Sequence, residues 1–338
     1  MWILFDDARE GGAPPRLYRD PVERIVAWQL GEIGSALDRV RSGLKAGKHA
    51  AGYLAYEAGH AFDPKLAASA RKGDGPLLSF GLFDRYELPD LDHLLPDGGG
   101  GYAGRPRPRI AQGDYEAAAR RVRDHLFAGD FYQANLTFGC DVAVSGSPLA
   151  IYARLRQSAL AGWGGVLADE DRSLISLSPE QFFTIRGGMV EARPMKGTAP
   201  RRTDPSADAR EAEELAADEK QRAENLMIVD LMRNDLARVS ETGSVDVPDL
   251  FAVETYPTIH QMVSRIISRL REGFDAIDVL RTIFPCGSGS SLASASIAAT
   301  FGAPVTEPHG KIVRSTSMAS KPSRSREMIR LTIWWIVG

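Results

Sequence analysis

The chain has 338 residues, a formal net charge of −3, 43% hydrophobic and 25% charged residues. At about 150 residues per domain this is one large or two medium domains with a sizeable core, which excludes wholesale disorder. The sequence pI of about 6.1 leaves no basic excess for phosphate binding, so nucleic acid is excluded as a partner.

Two cysteines, Cys140 and Cys286, are too few for a disulfide framework or structural zinc and fit a reducing compartment. The N-terminus turns acidic at Asp6-Asp7 without a basic start, which does not read as a secretory signal. No run approaches the roughly 18 apolar residues of a membrane span. The expectation is a cytoplasmic enzyme with no membrane contact. The charge is uneven. Residues 287–338 hold six Lys/Arg, two Glu, no Asp and ten Ser, a net +4, whereas the first 286 residues carry −7.

In chain order, residues 21–46 read as a helix, and Ala51–Tyr56 and Leu77–Tyr86 as aromatic-rich strands. Pro96-Asp97, Gly98 to Gly101 and Arg105-Pro106-Arg107-Pro108 form a linker. This divides the chain into an α+β segment (1–96), a Gly/Pro/Arg linker (97–112), a core (113–288) and an atypical Ser/Arg-rich tail (289–338). Asp114 is the expected cap of a helix to Ala128, ended by Gly129-Asp130; Phe131–Val144 reads as strand and Leu149–Ser158 as helix.

Gln181 to Arg186, Gly187-Gly188 and Met189 to Met195 form a hairpin with a two-residue primed turn. This turn fixes the register: Phe183 faces Ala192 and Ile185 faces Val190, giving one apolar face. Glu180 falls opposite Met195, and a regular ladder would put Glu180 and Lys196 at one end of the hairpin on opposite faces. Pro179 and Pro194 make a regular ladder there unfavourable, and a bulge turns both side chains into one cleft. A helix follows over Ala207–Arg233, with Leu215, Ile228 and Leu231 on an apolar stripe that also carries Glu224 and, one turn earlier, Gln221. Val253–Tyr256 ends before Pro257, and Ile259–Arg269 reads as a helix carrying His260.

Several residues carry possible chemistry. Lys196, at a strand end before Gly197-Thr198, is either a snorkelling lysine or, with its pKa lowered by burial, an amine nucleophile. Glu180 is either a turn residue or a general acid/base beside that lysine. Glu224 is either a salt-bridge partner or a Mg²⁺ ligand, magnesium being suited by oxygen donors completed by the substrate's own anionic groups. His260 is either a structural histidine or part of the site, and Gly287-Ser288 is either a flexible turn or an anion cradle.

Seven blocks occur together: GYLAYEAGHAFDP (52–64), GDFYQANLT (129–137), SPEQFF (178–183), VEARPMKGTAPR (190–201), RAENLMIVDLMRNDLARV (222–239), GSVDVPDLFAVETYPTIHQMVS (243–264) and FPCGS (284–288). In this order they resemble the chorismate-utilising enzymes, on the branch of aminodeoxychorismate synthase component I. The resemblance implies an α+β fold of the anthranilate synthase component I type, a large sandwich of antiparallel sheets with outer helices, its C-terminal part incomplete here. It implies conversion of chorismate and ammonia to 4-amino-4-deoxychorismate in folate (para-aminobenzoate) synthesis. By the resemblance, Lys196 forms the covalent adduct, Glu180 is the acid/base and His260 an active-site histidine. Gly197, Thr198, Gly287 and Ser288 are placed at the substrate. Glu224 matches a Mg²⁺ ligand, with Gln221 where relatives have a second acid, and ammonia is expected from a glutamine amidotransferase subunit. Anthranilate synthases carry alanine in place of Lys196; anthranilate synthase component I or another chorismate enzyme is one alternative. Residues 289–338 do not match the loop, strands and final helix with two further acidic metal ligands that the resemblance implies, which motivates a second alternative, an inactive subunit that still binds its partner or chorismate.

Overall fold

The computed structural model describes residues 1–68, 75–131, 134, 136, 138–170 and 172–285, with the backbone of 296–301, 328–330 and 334–337. The chain opens on an antiparallel pair, β1 (Trp2–Asp6) and β2 (Arg16–Arg19). The stretch 21–46, expected as one helix, is instead β3 (Glu23–Ala27) and α1 (Leu30–Lys45). The β-branched Ile25-Val26 favours strand, and a capping box between Gln29 and Glu32 starts the helix only after it. β4 (His49–Leu54) and β5 (Leu78–Phe83) are the two expected strands, shifted by a few residues, with α2 (Pro64–Ala67) between them.

Then come α3 (Leu91–Leu94), β6 (Tyr102–Ala103), β7 (Arg107–Pro108) and α4 (Gln112–Ala128). Ala111, not Asp114, is the N-cap of α4, and Gly129 ends it in the left-handed region at φ +79°. Within 131–144 the described strand is only β8 (Cys140–Ser145), which receives both β6 and β7. α5 (Pro148–Ala159), capped by Ser147, falls where a helix is expected.

β9 (Trp163–Ala168) and β10 (Ser173–Ser178) lead to the hairpin of β11 (Thr184–Arg186) and β12 (Met189–Ala192), followed by β13 (Met195–Pro200). The hairpin has the expected register, Ile185 opposite Val190 and Arg186 opposite Met189, with Gly187 and Gly188 at φ +56° and +77°. The single helix expected over 207–233 is two: α6 (Pro205–Ala217) and α7 (Glu219–Ala237). Asp218, at ψ 112°, breaks the helical path, and its side chain caps the second helix by accepting from Gln221 N at 2.8 Å. The buried stripe of α7 runs through Asn225, Ile228, Val229, Met232 and Leu236, so Leu231 is exposed and Glu224 sits at the stripe's edge.

β14 (Asp246–Thr255) starts well before the expected Val253 and leads into β15 (Ile259–Arg269), a strand where the apolar spacing suggested a helix. His260, Met262, Ser264, Ile266 and Ser268 are all buried. This is period-two burial disguised by three polar side chains. α8 (Ala276–Ile283) is followed by β16 (Ser296–Phe301), β17 (Met328–Arg330) and β18 (Trp334–Val337).

The fold is α+β, with stacked, mainly antiparallel sheets and covering helices. One sheet runs β10-β9-β1-β2, a second β18-β16-β4-β5-β3, and a third joins β11, β12, β13 and β14 to β15. The first sheet therefore combines strands from both sides of the 97–112 stretch. Alternation along the strands explains the layering. Ala51 and Tyr53 of β4 pack with Ile3, Phe5 and Tyr18 of the first sheet, whereas Ala50 and Leu54 face α1, α7 and α8. Phe183, Val190, Ala192 and Ile266 bring the third sheet onto that same core. Gly188→Ala, held at φ +77°, is expected to cost about 1–2 kcal/mol, while Gly34→Ala in open space inside α1 should gain about 1 kcal/mol. Urea unfolding midpoints check both signs.

Candidate active site

The site forms where β13 and α7 meet β15. β12 and Met195 hold one register against β15, and from Thr198 the register is displaced by one residue. Lys196 and Gly197 together therefore oppose Met262, a bulge. It lies against β15 and not within the hairpin ladder at Pro179 and Pro194, where one was expected, because β13 pairs with β15. Gly197 is at φ +101°, and a Cβ on it would lie 3.2 Å from both Gln221 Oε1 and Met262 Cβ. Glycine is thus required twice over, by conformation and by the close approach of α7.

Glu180 reaches this bulge from the other side. Ser178 Oγ accepts from Glu180 N at 3.1 Å, turning the chain after Pro179, and Met195 N donates to Glu180 Oε1 at 3.3 Å. The carboxylate is buried. Lys196 is half-buried, and this desolvation pushes its amine below the ordinary lysine value; Glu224 and then Glu180 oppose the shift by favouring the ammonium. Lys196, Glu180, Glu224, Gln221 and Gly197 are therefore brought together. Thr198 follows the bulge and is exposed. Gly287 and Ser288 lie outside the described residues.

His260 sits opposite Ala199, past the bulge. Both its ring nitrogens are engaged: Nδ1 with Thr255 Oγ1 at 2.9 Å and Nε2 with Asp208 Oδ1 at 3.0 Å. Hydrogen bonding from Arg201 holds the Asp208 carboxyl below the usual carboxylate range. The Asp208 carboxylate can only accept, so Nε2 is the donor of that bond. In this structure His260 ties β15 to β14 and α6.

Sequence reasoning passed over Asn225, buried beneath the bulge, where Nδ2 donates to Lys196 O at 3.3 Å and Met262 O at 3.5 Å. The available signal was a polar residue four positions before the apolar Val229 on one helix face. Tyr256 was also missed; its hydroxyl donates to Glu254 Oε2 at 2.7 Å, and Glu254 pairs with Arg193.

For a divalent cation, the described residues offer the Glu224 carboxylate and Gln221 amide oxygen, three residues apart on α7. No group of three His, Cys, Asp or Glu suited to a metal occurs among the described residues. This oxygen pair fits Mg²⁺, which takes few protein carboxylates and fills its octahedron with substrate oxygens and water.

Residues 16–291 match the chorismate binding enzyme family, and the chain belongs to it. Within that family, it is 45% identical over 175 residues to aminodeoxychorismate synthase component 1 of Salmonella typhimurium, covering 52% of this chain and 38% of that protein. The Escherichia coli protein of the same name is 44% identical over 174 residues, with the same coverage. Anthranilate synthase component 1 of Methanothermobacter marburgensis is 33% identical over 261 residues, 71% of this chain and 56% of that one. The chain thus spans about two fifths to somewhat over half the length of these relatives. The fold is similar to the crystal structure of anthranilate synthase component I from Streptococcus pneumoniae, with TM-score 0.67, 23% identity, and coverage of 81% of this chain and 73% of that one.

Because burial favours the neutral amine, Lys196 should acylate with a half-maximal pH below the 10.5 of an ordinary lysine. Glu180→Gln and Glu224→Gln each remove a charge that favours the ammonium, so each should lower that midpoint further. Peptide mass spectrometry after pH-stepped acetic anhydride labelling reads all three; a midpoint at or above 10.5 in the parent chain contradicts the assignment.

Proposed function

We propose that the chain is an aminodeoxychorismate synthase component I, converting chorismate and ammonia to 4-amino-4-deoxychorismate and water. The observation that carries this reading is the half-buried Lys196 amine in a β-bulge, within electrostatic reach of Glu180 and Glu224. A lowered pKa keeps more of the amine neutral, and a neutral amine is the nucleophile.

In the proposed reaction Lys196 Nζ bonds to C2 of chorismate, both conjugated ring double bonds shift, and the C4–O bond breaks, the hydroxyl leaving as water with a proton from Glu180. Ammonia then bonds to C4, both double bonds shift back, the C2–Nζ bond breaks to release lysine as the neutral amine, and the extra proton on the new C4 nitrogen returns to Glu180. Two allylic displacements replace one direct substitution, and the product keeps the C4 configuration. Glu180, held by Met195 N, is buried, which suits a proton donor. Bound Mg²⁺ supplies charge neutralisation for a substrate carboxylate, with Glu224 and Gln221 as its protein ligands. Gly197 lets α7 pack closely on the bulge, and Gly197, Thr198, Gly287 and Ser288 are assigned to substrate binding by the same family resemblance. His260 acts in this reading by fixing the strand behind the bulge.

Ammonia is assigned to a separate glutamine amidotransferase subunit. A cytoplasmic setting completes the reading, supported by the sparse cysteines; among the described residues no helix is long and apolar enough to cross a membrane. Lysine at 196 favours this reaction over anthranilate synthesis, whose enzymes resemble this chain with alanine there.

Purified protein incubated with chorismate, Mg²⁺ and ammonium is expected to form aminodeoxychorismate. Lys196→Ala should lower kcat by about 10³-fold or more, the scale on which loss of a nucleophile acts, and Glu180→Gln by about 10²–10⁴-fold. Chromatography of the products decides the matter. Anthranilate would reject the reaction, a fully active Lys196→Ala would reject the covalent route, and folded protein that makes neither product would leave only a binding role.

A further inference from the structure

We propose that Asn225 is the positioning residue for Lys196, its side-chain amide pinning the Lys196–Gly197 bulge against Met262. The inference rests on Lys196 being the nucleophile and adds the residue that sets where its amine stands.

A bulge leaves a backbone group without its ladder partner. Here the register breaks between Met195 and Thr198, and Lys196 O is in the break. Asn225 Nδ2 donates to that carbonyl at 3.3 Å and to Met262 O, on the facing strand, at 3.5 Å. A carboxamide has two N–H hydrogens, one for each carbonyl. A carboxylate would bring only acceptors against them, and an apolar side chain would leave both unpaired in a buried setting.

The orientation of the amide is itself fixed. Phe251 N donates to Ser264 Oγ at 3.1 Å, so the Ser264 hydroxyl is free to donate its own proton to Asn225 Oδ1, at 2.6 Å. With Oδ1 committed to Ser264, Nδ2 must face the bulge. Asn225 and Ser264 are both fully buried, so water does not compete for these bonds. Phe251 lies at φ +61° in a second register break, between Asp249 and Ala252 of β14. The two irregular strands flanking β15 are thereby joined through one serine and one asparagine.

The consequence for Lys196 is directional. If the extra residue is lost from the ladder, strand residues beyond it slip by one and exchange faces. Lys196 would then leave the side shared with Glu180 and Glu224.

The test uses the full chain, with lysines [¹³C]-dimethylated for NMR and kinetics run on unmodified protein. The Lys196 resonance is identified as the one lost in Lys196→Arg. In Asn225→Leu this resonance is expected to move to the position of exposed lysines such as Lys220, and in Ser264→Ala to shift part of the way. In parallel, kcat for aminodeoxychorismate formation should fall by about 10²-fold, the scale of a displacement near 1 Å, with the KM for chorismate changed less than about threefold. A Lys196 resonance unmoved in folded Asn225→Leu overturns the proposal, as does a change confined to KM. If Asn225→Leu does not fold, Ser264→Ala is judged on the same two criteria. If the parent chain forms no aminodeoxychorismate, the functional reading fails while the resonance alone still decides the role of Asn225.

Discussion

Everything at the site hangs on β15, an 11-residue strand that has only two edges for three partners. β14 occupies one edge from Thr255 opposite His260 to Asp246 opposite Ile267. β12 and β13 must therefore share the other, end to end, with Pro194 between them. Proline cannot donate to a ladder, and here it accepts instead, Ser264 N donating to Pro194 O at 3.1 Å. The register of β12 persists through Met195 and is lost one step later. Lys196 stands at that step, and it does so because two strand segments share one edge in different registers.

The electrostatics follow from this backbone geometry. An ammonium removed from water is disfavoured, and two neighbouring carboxylates restore part of what burial takes away. The amine is thus shifted without being isolated. Glu180 is buried close to the bulge, whereas Glu224 lies at the edge of the buried stripe of α7, where Lys220 approaches it at 3.9 Å. In the proposed reaction the more buried carboxylate is the proton donor and the more exposed one the cation ligand. Further along β15, Asp208, His260 and Thr255 form a hydrogen-bonded chain that couples α6 to the sheet. Asp208 also accepts from Arg202 N at 2.7 Å, so one carboxylate fixes a helix, a loop and a strand.

Local determinants were legible in the sequence. Gly187-Gly188 alone set the hairpin register, since a two-residue turn with both φ values positive leaves no freedom in the pairing. The same register placed Glu180 near Met195, whose N–H donates to the Glu180 carboxylate, but the bulge itself lies in the pairing of β13 with β15, a strand that the sequence did not reveal. What misled was periodicity in segments whose partners are distant. Ile259–Arg269 carries Ile259, Val263, Ile266 and Ile267 at spacings that also suit a helix, while its buried face includes His260, Ser264 and Ser268. Those polar residues are buried because Asp208, Asn225 and Ser240 receive them, and none of these partners is close in sequence. The break between α6 and α7 escaped notice for the opposite reason: Asp218 is a good N-cap, and within a run of helix formers a cap reads as one more surface acid.

The sequence by itself determined the class of fold and the cast of the site: seven ordered blocks, a lysine beside a glycine, a glutamate after Ser-Pro, and a second glutamate on a helix. These are properties of residue type and short spacing, and chain connectivity preserves them. Only the tertiary structure decided which of those residues share a face. It set Lys196 in a bulge against Met262, brought Glu180 and Glu224 to it from two different elements, and gave both nitrogens of His260 to Thr255 and Asp208. It also showed Asn225, which lies in the 222–239 block but receives no role from the sequence, bonded to the carbonyls of Lys196 and Met262. The reason is that a one-residue change of register reverses the direction of a side chain, and register along a shared strand edge is fixed by contacts between segments far apart in the chain.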